Sequence, residues 1–419
     1  MSDSTTVQNS KAGVSIGEIL SIPVIVAALG YFVDIYDLIL FSIVRVQSLK
    51  TLGVEGQALM DKGVFLLNMQ MAGMLLGGIM WGVLGDKKGR VKILFGSIFL
   101  YSIANIANGF VNSVENYALC RFIAGIGLAG ELGAGVTLVL ENLPKQTRGY
   151  GTMIVASVGV TGAILANFIS KYFDWRMAYF IGGGLGMLLL IMRIGVFESG
   201  MYKEMEERNI SKGNFFSLFT DRLRFSKYIK SILIGLPIWF SVGILITFSP
   251  EFAKALSIKG TVNAGEAVMY CYMGLVIGDF ASGFLSQYFR TRKKIVFLFL
   301  IFSCISITIY FMLRDVGAAI FYFNCMFIGF AVGYWAIFIT IAAEQFGTNL
   351  RATVASTVPN FIRGTVIPIT FLFQIAKKHL GILYGGAIVG VLCLLVAFYA
   401  LSRLEETFDK ELNYIEGVN

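Results

Sequence analysis

The chain has 419 residues, of which 56% are hydrophobic and 14% are charged, and its mean hydropathy is +0.75. Soluble globular domains carry about 25% charged residues, so this composition excludes an ordinary water-soluble fold. The sequence offers no zinc-binding spacing, phosphate-cradling loop or Ser-His-Asp set. We therefore expect no enzyme, no metal and no cofactor, and we predict that the five cysteines are packing residues rather than disulfide partners.

Twelve long apolar segments follow one another along the chain. A helix needs about 20 apolar residues to cross a bilayer, and each segment reaches about that length or more. We number these predicted spans 1 to 12 in chain order. Their limits are 19–44, 63–84, 91–111, 115–141, 150–172, 176–197, 229–252, 265–289, 294–313, 316–343, 352–376 and 381–402.

One local pattern occurs twice, about half the chain apart. Glu141 and Arg148 close span 4, and Glu344 and Arg351 close span 10, at an offset of 203 residues (344 − 141). This duplication predicts an all-α membrane protein of twelve transmembrane helices in two pseudo-symmetric six-helix bundles. Duplicated membrane halves are typical of alternating-access transporters. The predicted domains are a tail (1–18), a first bundle (19–197), a linker (198–228), a second bundle (229–403) and a tail (404–419).

The positions of Lys and Arg predict the orientation. They cluster after span 2 and span 8, at Lys87, Lys88, Arg90, Lys92, Arg290, Arg292, Lys293 and Lys294, and six more lie in the linker. Because basic loops stay on the cytoplasmic side, both termini are expected in the cytoplasm and the protein in the cytoplasmic (inner) membrane. The net charge of +8 is then a signal of topology, and we expect no nucleic-acid partner.

The segment 82–90 (Gly-Val-Leu-Gly-Asp-Lys-Lys-Gly-Arg) resembles the signature between helices 2 and 3 of the major facilitator superfamily. It has a weaker echo at 283–290, at an offset of 201 (283 − 82). Residues 121–127, 197–202 and 404–407 are similar to further markers of sugar and metabolite porters. The resemblance implies the major facilitator fold, in which helices 1, 4, 7 and 10 line a central cavity with help from helices 2, 5, 8 and 11.

Two segments narrow the resemblance. Residues 34–38 (Asp-Ile-Tyr-Asp-Leu) and 130–135 (Gly-Glu-Leu-Gly-Ala-Gly) are similar to elements of metabolite:proton and phosphate:proton symporters. Residues 237–243 lack the amides with which sugar porters of the family bind hexoses, and 157–162 lack the Gly-Pro signature of drug:proton antiporters. The sequence therefore argues against a hexose and against drug efflux.

Six charged residues lie inside the predicted spans, away from their ends: Asp34, Asp37, Arg121, Glu131, Asp279 and Arg363. A charge at the centre of a helix costs at least ~2.5–3.5 kcal/mol on insertion scales, so each needs a partner, water or a proton. We assign proton coupling to Asp34, Asp37 and Glu131, with Arg121 as a fixed charge. Two alternatives stay open: one of the aspartates forms a permanent pair with Arg121, or Glu131 is purely structural.

We assign substrate binding chiefly to Arg363, because an arginine stays charged and suits anionic groups. The other candidates for contact with substrate are Asp279, Asn360, Asn324, Tyr334, Trp335 and Tyr36. An alternative is that Arg363 pairs permanently with Asp279 and never meets substrate.

Charged residues at the ends of the predicted spans are interpreted as a gate. A charge network there can latch two halves in one state and release them in another. The candidates are Asp86, Arg90, Glu141, Arg148, Glu344 and Arg351.

These assignments favour a proton-coupled symporter that carries a small organic anion or zwitterionic metabolite by alternating access. A proton-driven exporter of a polycarboxylate metabolite or siderophore is the alternative. A sensor or membrane enzyme on the same scaffold is a third class, which the lack of a catalytic constellation disfavours. The expected partners are a small substrate, protons and lipid, and the protein is expected to act as a monomer.

Overall fold

The computed structural model describes residues 21–88, 90–131, 148–198, 215–408 and 410, and these are almost entirely helical. We label the helices α1 to α12 in the order of the predicted spans. The first half has α1 (Ile22–Thr51), α2 (Ala58–Lys88), α3 (Arg90–Asn108), α4 (Val114–Leu128), α5 (Arg148–Val160 and Gly162–Tyr172) and α6 (Trp175–Glu198). The second half has α7 (Arg222–Leu233, Leu236–Phe240, the π-helical Ser241–Ile246, and Ser249–Ala255), α8 (Ala264–Tyr288), α9 (Lys293–Met312) and α10 (Ala318–Ala331 and Trp335–Glu344). α11 is Thr348–Gly364 with the part of Val366–Ser402 before Gly381, and α12 is the remainder of Val366–Ser402.

The described helices account for all twelve predicted spans. Nine helical stretches among the described residues are long and apolar enough to cross a membrane. One of them, Thr353–Ser402, contains spans 11 and 12, which are divided where Gly381 adopts a left-handed φ of 79°. Spans 3 and 4 correspond to the shorter helices Leu94–Asn108 and Val114–Leu128, and the rest of span 4 lies outside the described residues. The predicted all-α membrane architecture is confirmed.

Two helices extend seven residues beyond a predicted limit (51 − 44 and 229 − 222). α1 continues to Thr51 instead of ending at residue 44, because Arg45 is paired inside the protein rather than held at a membrane surface. α7 begins at Arg222, inside the predicted linker 198–228, where the side chain of Asp221 caps the helix by accepting from the backbone N–H of Arg224 at 2.8 Å.

Glycines bring equivalent helices together in each half. Gly73 and Gly77 of α2 lie against α4, and Gly274 and Gly278 of α8 lie against α10. A Cβ added at any of the four would collide with a backbone carbonyl oxygen of the neighbouring helix. The two pairs are 201 residues apart (274 − 73), the offset already seen at Gly82 and Gly283. Close approach through small residues is the usual way in which membrane helices pack, and here the duplication repeats it.

We expect Gly274→Ala to destabilise the second half, because the new methyl group collides with the backbone of α10. Overpacking of this kind costs about 1–3 kcal/mol, which should lower the melting temperature of the purified protein in detergent. Gly184→Ala in α6 is the matched control, since nothing lies within 4 Å of its added Cβ. Equal melting temperatures for both variants would show that α8 and α10 do not pack this closely.

Candidate functional site

Two opposite charges meet between the halves, near the middle of the bundle. Asp34 of α1 and Arg363 of α11 approach to 3.5 Å between Oδ2 and Nη2, and both side chains are 0% exposed. Within the described part of the chain, the carboxylate oxygens of Asp34 and the guanidinium nitrogens of Arg363 have no hydrogen-bond partner. A buried ion pair offsets its desolvation only when its geometry is good and its polar atoms are satisfied. This contact is therefore loose and can be exchanged for a better one.

Two tryptophans lie beside the guanidinium of Arg363. Its Cζ lies 5.9 Å from the ring centroid of Trp239 in α7 and 5.8 Å from that of Trp335 in α10, within cation–π range. The two indoles meet edge to face, with 6.4 Å between their centroids. Arg363 and both indoles belong to the second half, whereas Asp34 belongs to the first.

Asp279 occupies a different position from the one predicted for it. Its Oδ1 accepts the backbone N–H of Ala336 at 3.2 Å, in the first turn of the second segment of α10. A carboxylate is stabilised there by the free N–H groups and the dipole of a helix N-terminus. Arg363 contacts Asp34 instead of Asp279, so the alternative of an Arg363–Asp279 pair does not describe this structure.

Asp37 and Arg121 form a second charged group within the first half. Arg121 donates to the backbone oxygen of Asp37 and to Oδ1 of Asn105, both at 3.4 Å. Neither carboxylate oxygen of Asp37 has a hydrogen-bond partner among the described residues. The structure thus places Arg121 beside Asp37, but it does not make them a tight carboxylate–guanidinium pair.

The fold and this arrangement can now be set beside known proteins. Residues 27–364 match the family model of the Major Facilitator Superfamily. The chain belongs to this superfamily. The expectation drawn from residues 82–90 is confirmed.

Among its relatives, the chain is 29% identical over 392 residues to the "Putative metabolite transport protein" of Haemophilus influenzae, covering 85% of this chain and 91% of the relative. It is 24% identical over 397 residues to the "Putative niacin/nicotinamide transporter NiaP" of Bacillus subtilis, covering 92% and 96%. In fold it is similar to the proton:xylose symporter XylE bound to 6-bromo-6-deoxy-D-glucose, with a TM-score of 0.71, 17% identity and coverage of 93% and 97%. At this identity the structural likeness shows the fold alone.

Glu131 is paired with a residue that the sequence analysis did not select. Arg193 of α6 donates to both carboxylate oxygens, at 2.5 Å to Oε1 and 3.1 Å to Oε2, and each side chain is 1% exposed. Arg193 also reaches the backbone oxygen of Val26 in α1, at 3.3 Å. This fork geometry satisfies both charges. It favours the structural alternative for Glu131 over a role as proton carrier.

Three of the predicted substrate residues use their polar groups within their own half of this major facilitator fold. The hydroxyl groups of Tyr36 and Tyr334 donate to backbone oxygens, of Ala178 at 2.9 Å and Ile234 at 3.0 Å. Nδ2 of Asn324 donates to the backbone oxygen of Ser306 at 3.4 Å. These contacts do not support a substrate role for Tyr36 and Tyr334, because each hydroxyl group already has a partner away from Arg363, whereas Oδ1 of Asn324 has no partner among the described residues.

Asn360 crosses between the halves. Its Nδ2 donates to the backbone oxygen of Ala129 at 2.8 Å, and it stands one helical turn before Arg363 in α11. Its Oδ1 has no partner among the described residues. Asn360 therefore lies at the boundary that an alternating-access movement would open.

Among the described residues, ion pairs close one end of the interface between the halves. We call this the Arg45 end, after the fully buried Arg45 of α1, which also donates to the backbone oxygen of Thr247 at 3.3 Å. The pairs are Arg45–Glu251 at 2.7 Å, Lys377–Asp61 at 3.1 Å and Lys171–Glu266.

The opposite end, the Glu344 end, holds the predicted gate. Glu344 binds Arg292 of its own half, at 2.6 Å to Nε and 2.7 Å to Nη2. Arg351 donates to the backbone oxygen of Phe346 at 3.4 Å. The side chains of Asp86, Arg90 and Arg148, and the whole of Glu141, lie outside the described residues, so the gate stays a prediction.

Hydrogen bonds attach the tail after α12 to the Glu344 end. Glu406 accepts from Oγ1 of Thr291 at 2.5 Å and from the backbone N–H groups of Arg292 at 2.9 Å and Lys293 at 3.1 Å. Desolvation alone would raise the pKa of Glu406, but these hydrogen bonds outweigh it and lower the pKa below its usual value. The tail segment that resembles a sugar-porter marker therefore stays anionic at neutral pH and holds the loop between α8 and α9.

Sequence reasoning missed Arg193, Arg45 and Trp239. Arg193 stands near the predicted end of span 6 and Arg45 just beyond that of span 1, so neither is among the charges assigned to the span interiors. An arginine this close to a span needs an acidic partner, and the acids Glu131 and Glu251 in other spans are the available ones. Trp239 carries no signal beyond being an aromatic residue in an apolar run.

We expect Glu131→Gln to be strongly destabilising, because it leaves Arg193 buried without its counter-charge. Breaking a buried pair from one side costs about 3–5 kcal/mol, whereas replacing both partners with apolar residues is often neutral. The double variant Glu131→Leu with Arg193→Met is therefore expected to melt closer to the parent than either single variant. A Glu131→Gln protein as stable as the parent would contradict the pairing.

We also expect the Arg45 end to separate during transport. Oγ1 of Thr247 lies 3.0 Å from Oγ of Ser42 in the other half, close enough for a disulfide between cysteines at the two positions after a small adjustment. The double variant Ser42→Cys with Thr247→Cys should lose transport on oxidation and recover it on reduction, while each single variant is unaffected. Full transport by cross-linked protein would show that the halves stay together at this point.

Proposed function

We propose that this chain is a proton-coupled symporter of a small organic anion that works by alternating access. The observation that carries the proposal is the loose, fully buried contact between Asp34 and Arg363, one residue from each half. A carboxylate can carry a proton, and an arginine in the same place can hold an anion.

Coupling follows from an exchange of partners at Arg363. When Asp34 takes up a proton, it loses its attraction for the guanidinium, and a substrate carboxylate can take its place with better geometry. One proton and one monocarboxylate enter together, so the net charge of the buried site does not change. Neither ligand alone achieves this, because either would leave an uncompensated charge in an apolar surrounding.

The relatives support the substrate class. The Bacillus subtilis relative is named for niacin and nicotinamide, and niacin is a small carboxylic acid. The basic loops after α2 and α8 favour a cytoplasmic position for the Glu344 end and for both termini. The Arg45 end then faces outward, at the cytoplasmic membrane of a cell.

The test is transport by purified protein in proteoliposomes, with niacin as the first probe in a panel of small carboxylates. Asp34→Asn should abolish accumulation driven by a pH gradient and keep counterflow exchange, since exchange needs no net proton movement. Arg363→Ala should weaken binding by about 1.5–3 kcal/mol, the value of a lost charged hydrogen bond. Glu115→Gln is the control, because Glu115 is an exposed acid in the first turn of α4.

Two results would overturn the proposal. Undiminished uphill accumulation by Asp34→Asn, while Asp37→Asn loses it, moves the proton site to the group beside Arg121. Normal binding by Arg363→Ala, together with uphill transport by every acid variant, makes a uniporter the better description.

A further inference from the structure

We infer that Trp239 and Trp335 form an aromatic clamp that selects a planar, π-conjugated monocarboxylate, with its carboxylate on Arg363 and its flat face against the indoles. This inference rests on the proposed symport at Asp34 and Arg363. It adds which organic anions the site accepts.

The clamp is built within one half of the protein. Trp239, Trp335 and Arg363 come from α7, α10 and α11, and the Cζ atom lies within 6 Å of both ring centroids. Asp34, the acid in contact with the guanidinium, comes from the other half. If the halves separate as rigid bodies, Asp34 leaves and the arginine stays beside the two indoles. The three side chains are then a preformed receptor that the movement uncovers.

Contacts inside the second half fix Trp335. Phe338 stacks on it with 5.4 Å between centroids and 28° between planes. The carboxylate of Asp279 holds the backbone N–H of Ala336, the next residue, at 3.2 Å. Asp279 is accordingly a positioning residue for the clamp, and its place beside the tryptophan explains why an acid is kept there without a cationic partner of its own among the described residues.

The chemistry of the surface matches a flat anion. Guanidinium groups bind carboxylates through two parallel hydrogen bonds, and indole faces or edges favour aromatic rings at centroid distances of about 4.5–7 Å. Nε1 of Trp239 is buried and has no hydrogen-bond partner among the described residues. It can donate to an acceptor on the ring of a bound ligand.

The same surface disfavours a polyhydroxylated acid. The segment 237–243, which contains Trp239, carries no amide side chain. A sugar hydroxyl brought against an indole face would lose its hydrogen bonds to water, which costs about 1–3 kcal/mol.

The experiment compares benzoate with cyclohexanecarboxylate, binding to the full-length purified protein. The two anions have the same charge and nearly the same size, and the saturated one is no less hydrophobic, so a preference for benzoate isolates the aromatic face. A stacked or edge-to-face contact favours aromatic over saturated rings by roughly 2–10-fold. We expect benzoate to bind more tightly by that factor and to change the tryptophan fluorescence.

Substitutions then locate the preference. Trp239→Leu and Trp335→Leu should reduce the ratio of the two affinities toward one, and the corresponding Phe variants should keep it because they retain an aromatic face. The Phe variants also cover the case in which a Leu variant fails to fold. Trp175→Phe is the matched control: Trp175 is buried in the first half and stacks on Tyr117 at 5.8 Å, so its loss should leave the ratio unchanged.

The outcomes separate this inference from the proposed function. Equal affinities for the two anions in the parent, or no binding of benzoate, overturn the clamp. If both anions bind equally and Arg363→Ala weakens both, the anion site stands and only the aromatic selection fails. If Arg363→Ala changes neither affinity, the proposed function fails as well.

Discussion

A charge buried in an apolar bundle has to be satisfied by another group, and the quality of that pairing divides the polar residues of this protein into two kinds. Arg193 and Glu131 meet through two hydrogen bonds at 2.5 and 3.1 Å, and Arg45 meets Glu251 at 2.7 and 2.8 Å. Asp34 and Arg363 stand at 3.5 Å without hydrogen-bond geometry. A pair joined by short hydrogen bonds stabilises the structure. A pair without hydrogen bonds can gain free energy when a ligand or a proton binds to it.

The position of each pair decides what it can control. Glu131 and Arg193 lie within the first half, so their contact holds α6 and the residue after α4 in the same relation through any movement between halves. Arg45 and Glu251 cross the boundary at one end, so that contact has to break when the end opens. Asp34 and Arg363 cross the boundary near the middle, so in the proposed symport their contact links the occupancy of the site to the relation between the halves.

The sequence was sufficient to predict the architecture, because hydropathy and a duplicated offset are properties of the chain alone. It also identified Asp34, Asp37, Arg121 and Arg363 as charges that needed an explanation. It did not predict which charge meets which, since the approach of α1 to α11 depends on packing between halves that are far apart in sequence. The pair of Arg45 with Glu251 was not predicted for another reason: the predicted span 1 ends at residue 44, so Arg45 falls outside it.

Close packing within each half makes the central contact effective. At Gly73, Gly77, Gly274 and Gly278 the backbones of neighbouring helices touch, which leaves little room for these helices to slide past one another. The boundary between the halves, in contrast, is crossed by polar contacts such as Asn360 to Ala129 and Thr247 to Ser42, which water can replace. A change of partner at Arg363 is thus accommodated more readily by moving one half against the other than by deforming either half. A change of partner at a single guanidinium can in this way become a movement of the whole molecule.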